Sequence, residues 1–339
     1  MVHKIMFTVN RIQNLRWLLL LCGISLFVSS CREEPTKNKS NTKLSFEEFD
    51  APLLNEDSIY QYIEDQLSFG HRVPGFEEHK ACKDYLVNHL KRQGANVQVQ
   101  EFTSNFLSVE NAPSFNIIAS FNPSASKRIL LAAHWDSRLI AEKDEEVNMK
   151  NKPIMGADDG ASGTAVLLEL ARVLNARSTS YLGVDIILFD AEDQGTDGGG
   201  WCQGSKFWAS SPHDPNYFAE YGILLDMVGA EGAQFGYEAY SEQYGLKYLD
   251  KVWGLAEFLG YGDLFVKTKT GPIMDDHYYV MTRGIPMIDI INRPMKTESG
   301  FGHYHHTHKD DISIISKENL RKVGHVISQV IYREESGKF

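Results

Sequence analysis

Residues 184–189 read Val-Asp-Ile-Ile-Leu-Phe, an apolar, β-rich run that stops abruptly at Asp190-Ala191-Glu192-Asp193. A short hydrophobic run closed by a turn is how a buried parallel strand reads. That points to an α/β fold, in which ligands collect at the carboxyl ends of the strands. Two adjacent carboxylates at such an end can point different ways, one toward a metal and one toward a reacting proton. Gly195, Gly198, Gly199 and Gly200 follow, then Trp201, so the backbone is free to curl around a pocket. A solvated acidic turn explains the pentapeptide equally well when it is taken alone. The other strands decide between the two.

Several of them end in the same residue types. Residues 128–133 form a central strand that runs into His134-Trp135-Asp136, and a ligating imidazole needs a partner such as Asp136 on its second nitrogen. Gly156-Ala157-Asp158-Asp159-Gly160 precedes a helix over 164–174; capping accounts for one aspartate but not for the glycines around it. A strand over 221–225 ends in Asp226, and Asp275-Asp276-His277 lies in a loop before a strand over 284–291 that carries Asp289. An aspartate inside a strand is costly unless partnered. His303, His305, His306 and His308 crowd the loop before a last helix over 317–334, which turns Leu320, Val323, Ile327 and Ile331 inward. Earlier helices are expected over 55–67 (Ile59, Ile63 and Leu67 inward) and 77–92 (Ala81, Tyr85, Leu86 and Leu90 inward), with strands over 97–102 and 115–121. Another helix is expected over 244–259. The body, 44–339, is therefore read as a single α/β domain with a central mixed, mostly parallel twisted sheet flanked by helices.

The front of the chain is a different matter. Lys4, Arg11 and Arg16 lead into an apolar core too short for a comfortable membrane span, which ends in Val28-Ser29-Ser30-Cys31. This resembles a bacterial lipoprotein signal over 1–30, with Cys31 lipidated and 31–43 a polar tether. The expected location is the bacterial cell envelope, facing the periplasm or the outer surface. Cleavage there removes three positive charges and no negative ones, taking the net charge from −11 to −14. Such a surface argues against nucleic acid and against electrostatic attraction to anionic lipid, which leaves membrane attachment to the Cys31 lipid. Cys82 and Cys202 are the remaining thiols, and no C-x-x-C pair offers a thiolate zinc site.

His134, Asp159, Glu192, Asp193, Asp226 and His306 thus all fall at strand ends or in the loop before the last helix, and histidine with carboxylates suits zinc. In their order these motifs resemble the single-domain zinc-dependent aminopeptidase superfamily, and within it the glutaminyl cyclases. The resemblance covers nearly all of the mature chain, from His71-Arg72-Val73-Pro74-Gly75 to the last helix. It implies one zinc ion held by Asp159, Asp193 and His306, with Glu192 shuttling a proton. Asp226 and Asp275 join Glu192 as catalytic groups. Trp201 walls the pocket, and His134 and Asp289 belong to the substrate-binding surroundings. Asp275-Asp276-His277 is the cyclase form of a motif that reads Ser-Asp-His in the aminopeptidases.

This chain departs from the cyclase pattern in three places. Asp193 stands for a glutamate, Asp289 for a histidine, and His305 for a second pocket tryptophan. The second departure implies an Asp275–Asp289 acid pair sharing one proton. The reaction implied is conversion of an N-terminal glutamine, on a peptide or protein, to pyroglutamate with release of ammonia. The alternative is a two-zinc aminopeptidase, which uses the same ligand types with Glu192 as base for a bridging water. A binding module that had lost the reaction would show eroded ligands, and none of the six positions is eroded.

Overall fold

The computed structural model describes residues 45–294, 297 and 299–339; the expected leader, Cys31 and the tether lie outside them. In chain order the elements are α1 (Glu56–Ser68), α2 (Glu77–Arg92), β1 (Asn96–Phe106), β2 (Val109–Phe121), β3 (Lys127–His134) and α3 (Ala161–Ala176). Then come β4 (Leu182–Phe189), α4 (Gln203–Ser210), β5 (Gly222–Asp226), β6 (Phe235–Tyr237), α5 (Ala239–Phe258) and β7 (Phe265–Lys269). The chain finishes with α6 (Asp276–Met281), β8 (Met287–Ile291) and α7 (Lys317–Glu335). Among the described residues no helix is long and apolar enough to cross a membrane.

Six strands form one mixed sheet in the order β1-β2-β4-β3-β5-β8. β4, β3, β5 and β8 run parallel, and the β1–β2 hairpin adds an antiparallel edge. The central strands bury both faces, which is why they read as continuous apolar runs. Ile129, Leu131 and Ala133 of β3 pack with Val184, Ile186 and Leu188 of β4 under α1, α3 and α7. The alternate residues Leu130, Ala132, Ile187 and Phe189 face Trp208 and Val280 on the opposite side. β3 has β4 on one side and β5 on the other, so successive crossovers diverge here and leave a crevice at the carboxyl edge.

The helices follow from local chemistry. Asn55 caps α1 by accepting from the Ser58 amide, and Ser316 caps α7 by accepting from Asn319. Ile59 and Ile63 are buried as expected and Leu67 packs on the core half-buried, while Gln66 is also fully buried because its amide donates to the Tyr62 and Ala161 carbonyls. α2 buries Leu86 and Leu90 and packs Tyr85 on the core as expected, but not Ala81. Ala81 is exposed while His79 and Cys82 are buried, since the His79 ring stacks on Trp135 at 4.3 Å and its Nε2 lies 2.9 Å from Asp190. Cys82 and Cys202 are both free thiols.

α3 approaches the sheet very closely. A Cβ on Gly163 would lie 2.2 Å from the backbone oxygen of Leu225. Gly163→Ala is therefore expected to lower stability by about 1–3 kcal/mol in denaturant unfolding. Gly262→Ala, an exposed site with nothing within 4 Å, should stay within about 0.5 kcal/mol.

Candidate functional site

The carboxyl ends of β3, β4 and β5 deliver His134, the Asp190–Asp193 turn and Asp226 to one place. The turn is held by buried carboxylates that accept backbone N–H groups. Asp136 takes the Glu192 amide on Oδ1 at 3.0 Å, and on Oδ2 the Asp193 amide at 3.2 Å and the Gln194 side chain at 2.9 Å. Asp190 is spent structurally, accepting from Phe115 at 2.6 Å and from His79. Ala191 adopts φ 54° to reverse the chain, and the Cys202, Gln203 and Gly204 amides at the start of α4 donate back to the carbonyls of Glu192, Ala191 and Asp190. The glycines serve the same turn, since a Cβ on Gly195 would sit 2.1 Å from the Trp201 ring.

Asp159 is aimed by a second carboxylate: Asp310 accepts the Asp158 and Asp159 amides at 2.7 and 3.1 Å. Asp158 serves the loops, accepting from Gly229 at 2.6 Å and from the Tyr304 hydroxyl. The third contributor is the 305–306 loop, where His306 holds φ 59°.

Of the three expected ligands, His306 is the common vertex. Its Nε2 lies 3.1 Å from Asp193 Oδ1 and 3.9 Å from Asp159 Oδ2. Two of the groups of three whose ligand atoms all fall within 4.8 Å of one another contain Asp159: Asp159 with His305 and His306, and Asp159 with His134 and Asp226. Asp193 therefore enters through His306, and Arg138 sits beside it, donating from Nη1 to its carbonyl at 2.7 Å with Oδ1 at 3.4 Å. The residues present fit a zinc ion. Asp193 Oδ2 is buried without a hydrogen-bond partner, and His306 Nδ1 lies 2.5 Å from Glu142 Oε1, which leaves Nε2 as the free lone pair.

Glu192, Trp201, Asp226 and Asp275 join Asp159, Asp193, His305, His306 and Phe301 around one cavity of about 370 Å³. Glu192 accepts from the Cys202 thiol at 3.1 Å. Burial, reinforced by the Asp275 charge, pushes Glu192 well above the usual carboxylate range. Burial likewise lifts Asp226 to about 6 and Asp275 to about 7. Trp201 lies parallel to the His306 ring at 5.8 Å and carries the Arg138 guanidinium at 4.7 Å on its face.

Two expected substrate contacts are displaced. His134 lies behind the cavity wall, its Nε2 occupied by Asp159 at 3.1 Å and Asp226 at 3.2 Å. Asp289 is fully buried in β8, in register with Leu224, so it faces the site two residues below the strand end that carries Asp226. Asp275, His277 and Asp289 each bring one oxygen or nitrogen within 4.8 Å of the others. Asp275 Oδ1 caps α6 through the Asp276 amide, and Asp275 Oδ2 and both Asp289 oxygens have no hydrogen-bond partner. His277 shares that space, with Nδ1 3.7 Å from Asp289 and Nε2 3.1 Å from Glu238.

The chain was compared with known proteins. The model of "Peptidase family M28" matches residues 116–331. The solved glutaminyl cyclase of Tannerella forsythia is 48% identical with a TM-score of 0.81, over 83% of this chain and 99% of that one. A Zn-dependent exopeptidase from Parabacteroides distasonis is 45% identical at TM-score 0.81, over 84% and 99%. The glutaminyl-peptide cyclotransferase of Bos taurus is 27% identical over 298 residues, which is 74% of this chain and 76% of that protein.

The Asp275 environment has a measurable consequence. Its pKa rises from 3.8 to about 7 on folding, so the folded chain binds the proton more tightly and stability is lost as pH climbs between those values. Asp275→Asn, which keeps the capping oxygen, should raise the melting temperature relative to the parent at pH 8. The gain should disappear by pH 4.

Proposed function

The chain belongs to peptidase family M28, and within it we propose a zinc-dependent glutaminyl-peptide cyclotransferase that converts N-terminal glutamine to pyroglutamate and ammonia. One observation carries this reading. Three buried or half-buried carboxylates, Glu192, Asp226 and Asp275, each raised above the ordinary range by burial, line the same cavity as the His306 and Asp159 donor atoms and the Trp201 wall. The similarity to solved and curated glutaminyl cyclases supports it.

Asp159, Asp193 and His306 would hold one zinc ion, which when bound supplies Lewis acidity toward the side-chain amide oxygen. The α-amine of the substrate is tethered to the amide it attacks, so no water need be activated. A new C–N bond closes the five-membered lactam and the old C–N bond breaks. One proton must pass from the attacking amine to the departing nitrogen. Glu192 suits that task because it lines the cavity and burial raises its pKa above the ordinary carboxylate range, which makes it a stronger base. Asp226 and Asp275 are placed to hydrogen-bond the leaving nitrogen. Trp201 offers a dry face to the glutamine methylenes. Substrates on this reading are peptides or proteins with N-terminal glutamine. The Ser29-Ser30-Cys31 leader signature supports a lipid-anchored position in a bacterial cell envelope.

One observation favours a second reading. His134, Asp159 and Asp226 form a compact donor set beside the first, as a two-zinc aminopeptidase would require. The two are separated by paired assays: a Gln-initiated dipeptide should release ammonia, and a Leu-initiated one should release no free leucine. The reverse pattern would establish the aminopeptidase.

Glu192→Gln should cut kcat by about 10²–10⁴-fold with bound zinc unchanged by elemental analysis. His306→Ala should lose the zinc itself, and retention of one full equivalent would show that the ligand set is wrong.

A further inference from the structure

His305 and His306 are neighbours in sequence and stack at 3.7 Å, yet opposite partners hold their rings. His306 Nδ1 faces the Glu142 carboxylate, an acceptor only, so that nitrogen carries a hydrogen and Nε2, 3.1 Å from Asp193 Oδ1, is the one a metal shared with Asp193 would take. His305 Nδ1 faces the Lys143 ammonium at 2.6 Å, a donor only. Here Nδ1 must be the acceptor and Nε2 carries the hydrogen. Glu142 and Lys143 are themselves consecutive, and the Lys143 amide donates to the His306 carbonyl at 3.3 Å, which fixes one loop on the other. One pair of adjacent residues therefore gives the Nδ1 atoms of two stacked imidazoles opposite roles, donor in His306 and acceptor in His305.

A nitrogen that bears hydrogen cannot ligate a metal. The Asp159–His305–His306 group is close enough to suggest His305 as a ligand, but its lone pair is turned away toward Lys143. What His305 presents is an N–H donor. It lines the cavity beside His306, its Nε2 3.9 Å from Asp159 Oδ2. That separation is too long for a hydrogen bond to Asp159, so the donor is free for a bound molecule. The ring cannot swing away, since Phe301 stacks on its other face at 4.2 Å.

We propose that His305 Nε2–H is a substrate hydrogen-bond donor, directed at the side-chain amide oxygen of the N-terminal glutamine, and that Lys143 is the positioning residue that fixes its tautomer. This rests on the cyclotransferase reading above. His305 transfers no proton in the step. It holds the oxygen as negative charge gathers there, while the amine proton passes to the leaving nitrogen by way of Glu192. A donor aimed at developing charge acts mainly on kcat.

The test uses the full-length, zinc-loaded protein. Long-range proton–nitrogen correlation spectra of the ¹⁵N-histidine-labelled chain should show His305 hydrogenated at Nε2. Lys143→Met should convert it to a mixture and Lys143→Arg, still a pure donor, should preserve it. His305→Phe keeps the stack and removes the donor. It should lower kcat on a Gln-initiated peptide by about 10–100-fold with KM within about threefold of the parent and zinc at one equivalent. His305→Gln, which returns an N–H near the same place, should recover most of the loss.

Hydrogenation at Nδ1 in the parent, unchanged kcat in His305→Phe, or loss of zinc from that variant would each overturn the proposal. If the parent releases no ammonia from a Gln-initiated peptide, the cyclotransferase reading falls, and the donor assignment to a glutamine amide falls with it. The nitrogen spectra then still report separately whether Lys143 sets the tautomer.

Discussion

The site depends on one kind of interaction, a buried carboxylate that accepts backbone N–H groups from a loop it must hold still. Asp136 does this for Glu192 and Asp193, and Asp310 does it for Asp158 and Asp159. Ionised carboxylates in such settings are short of cations and rich in amide donors, which makes these contacts stronger than neutral hydrogen bonds. Their cost is desolvation, and it is met only while the loop keeps its geometry. Loop and carboxylate therefore stabilise each other. Burial drives Asp275 and Asp289, whose remaining oxygens lack donors, toward the protonated form, and it raises Asp310 as well, so the amides hold the loops without cancelling the desolvation.

Cationic groups complete the frame. Arg138 donates to the Asp193 carbonyl, the Gly195 carbonyl and Glu142, and rests on the Trp201 ring. A single guanidinium thus links a metal-ligand candidate, the glycine turn, the pocket wall and the residue that orients His306. A lysine could not satisfy so many acceptors in fixed directions. Arg72, fully buried, does a similar service deeper in, donating to the carbonyls of Trp135, Met155 and Gly156 below the Asp158–Asp159 loop.

How much of this was legible in the chain depended on the range of the interaction. The strand ends carrying His134, Glu192, Asp193 and Asp226 were readable because apolar runs and the acids closing them lie side by side in sequence. α2 was placed residue for residue, with Leu86 and Leu90 buried as expected, but the burial of His79 was not foreseen, because its partner Asp190 lies 111 positions away. β2 begins at Val109, earlier than the run at 115–121, because its first half is polar and solvated and pairs only with β1. β6, β7 and the short helices α4 and α6 carry too few residues for a periodic signal. Arg138, Glu142, Lys143 and Asp310 were passed over for a related reason. Nothing local marks them, and only the fold brings Glu142 and Lys143 to a histidine pair more than 160 residues later.

The cavity wall follows from the same loops. Trp201, His306, His305 and Phe301 form a continuous column of rings, spaced 5.8, 3.7 and 4.2 Å apart. Arg138 covers the tryptophan end, and Lys143 and Arg293 lie 5.3 and 5.0 Å from the phenylalanine at the other. Each ring contact adds about 0.5–1.5 kcal/mol beyond burial and each exposed cation contact about 0.5–1 kcal/mol. The column is therefore stiff because it is stabilised along its length and capped at both ends. A stiff wall beside raised carboxylates favours a reaction whose nucleophile arrives on the substrate, since the wall has only to exclude water and hold a flexible side chain in a folded shape. A hydrolase on the same frame must instead admit and hold a water. A metal held by His306 and Asp159, or the cavity carboxylates Glu192, Asp226 and Asp275, would have to do so, and burial raises those three above the ordinary carboxylate range.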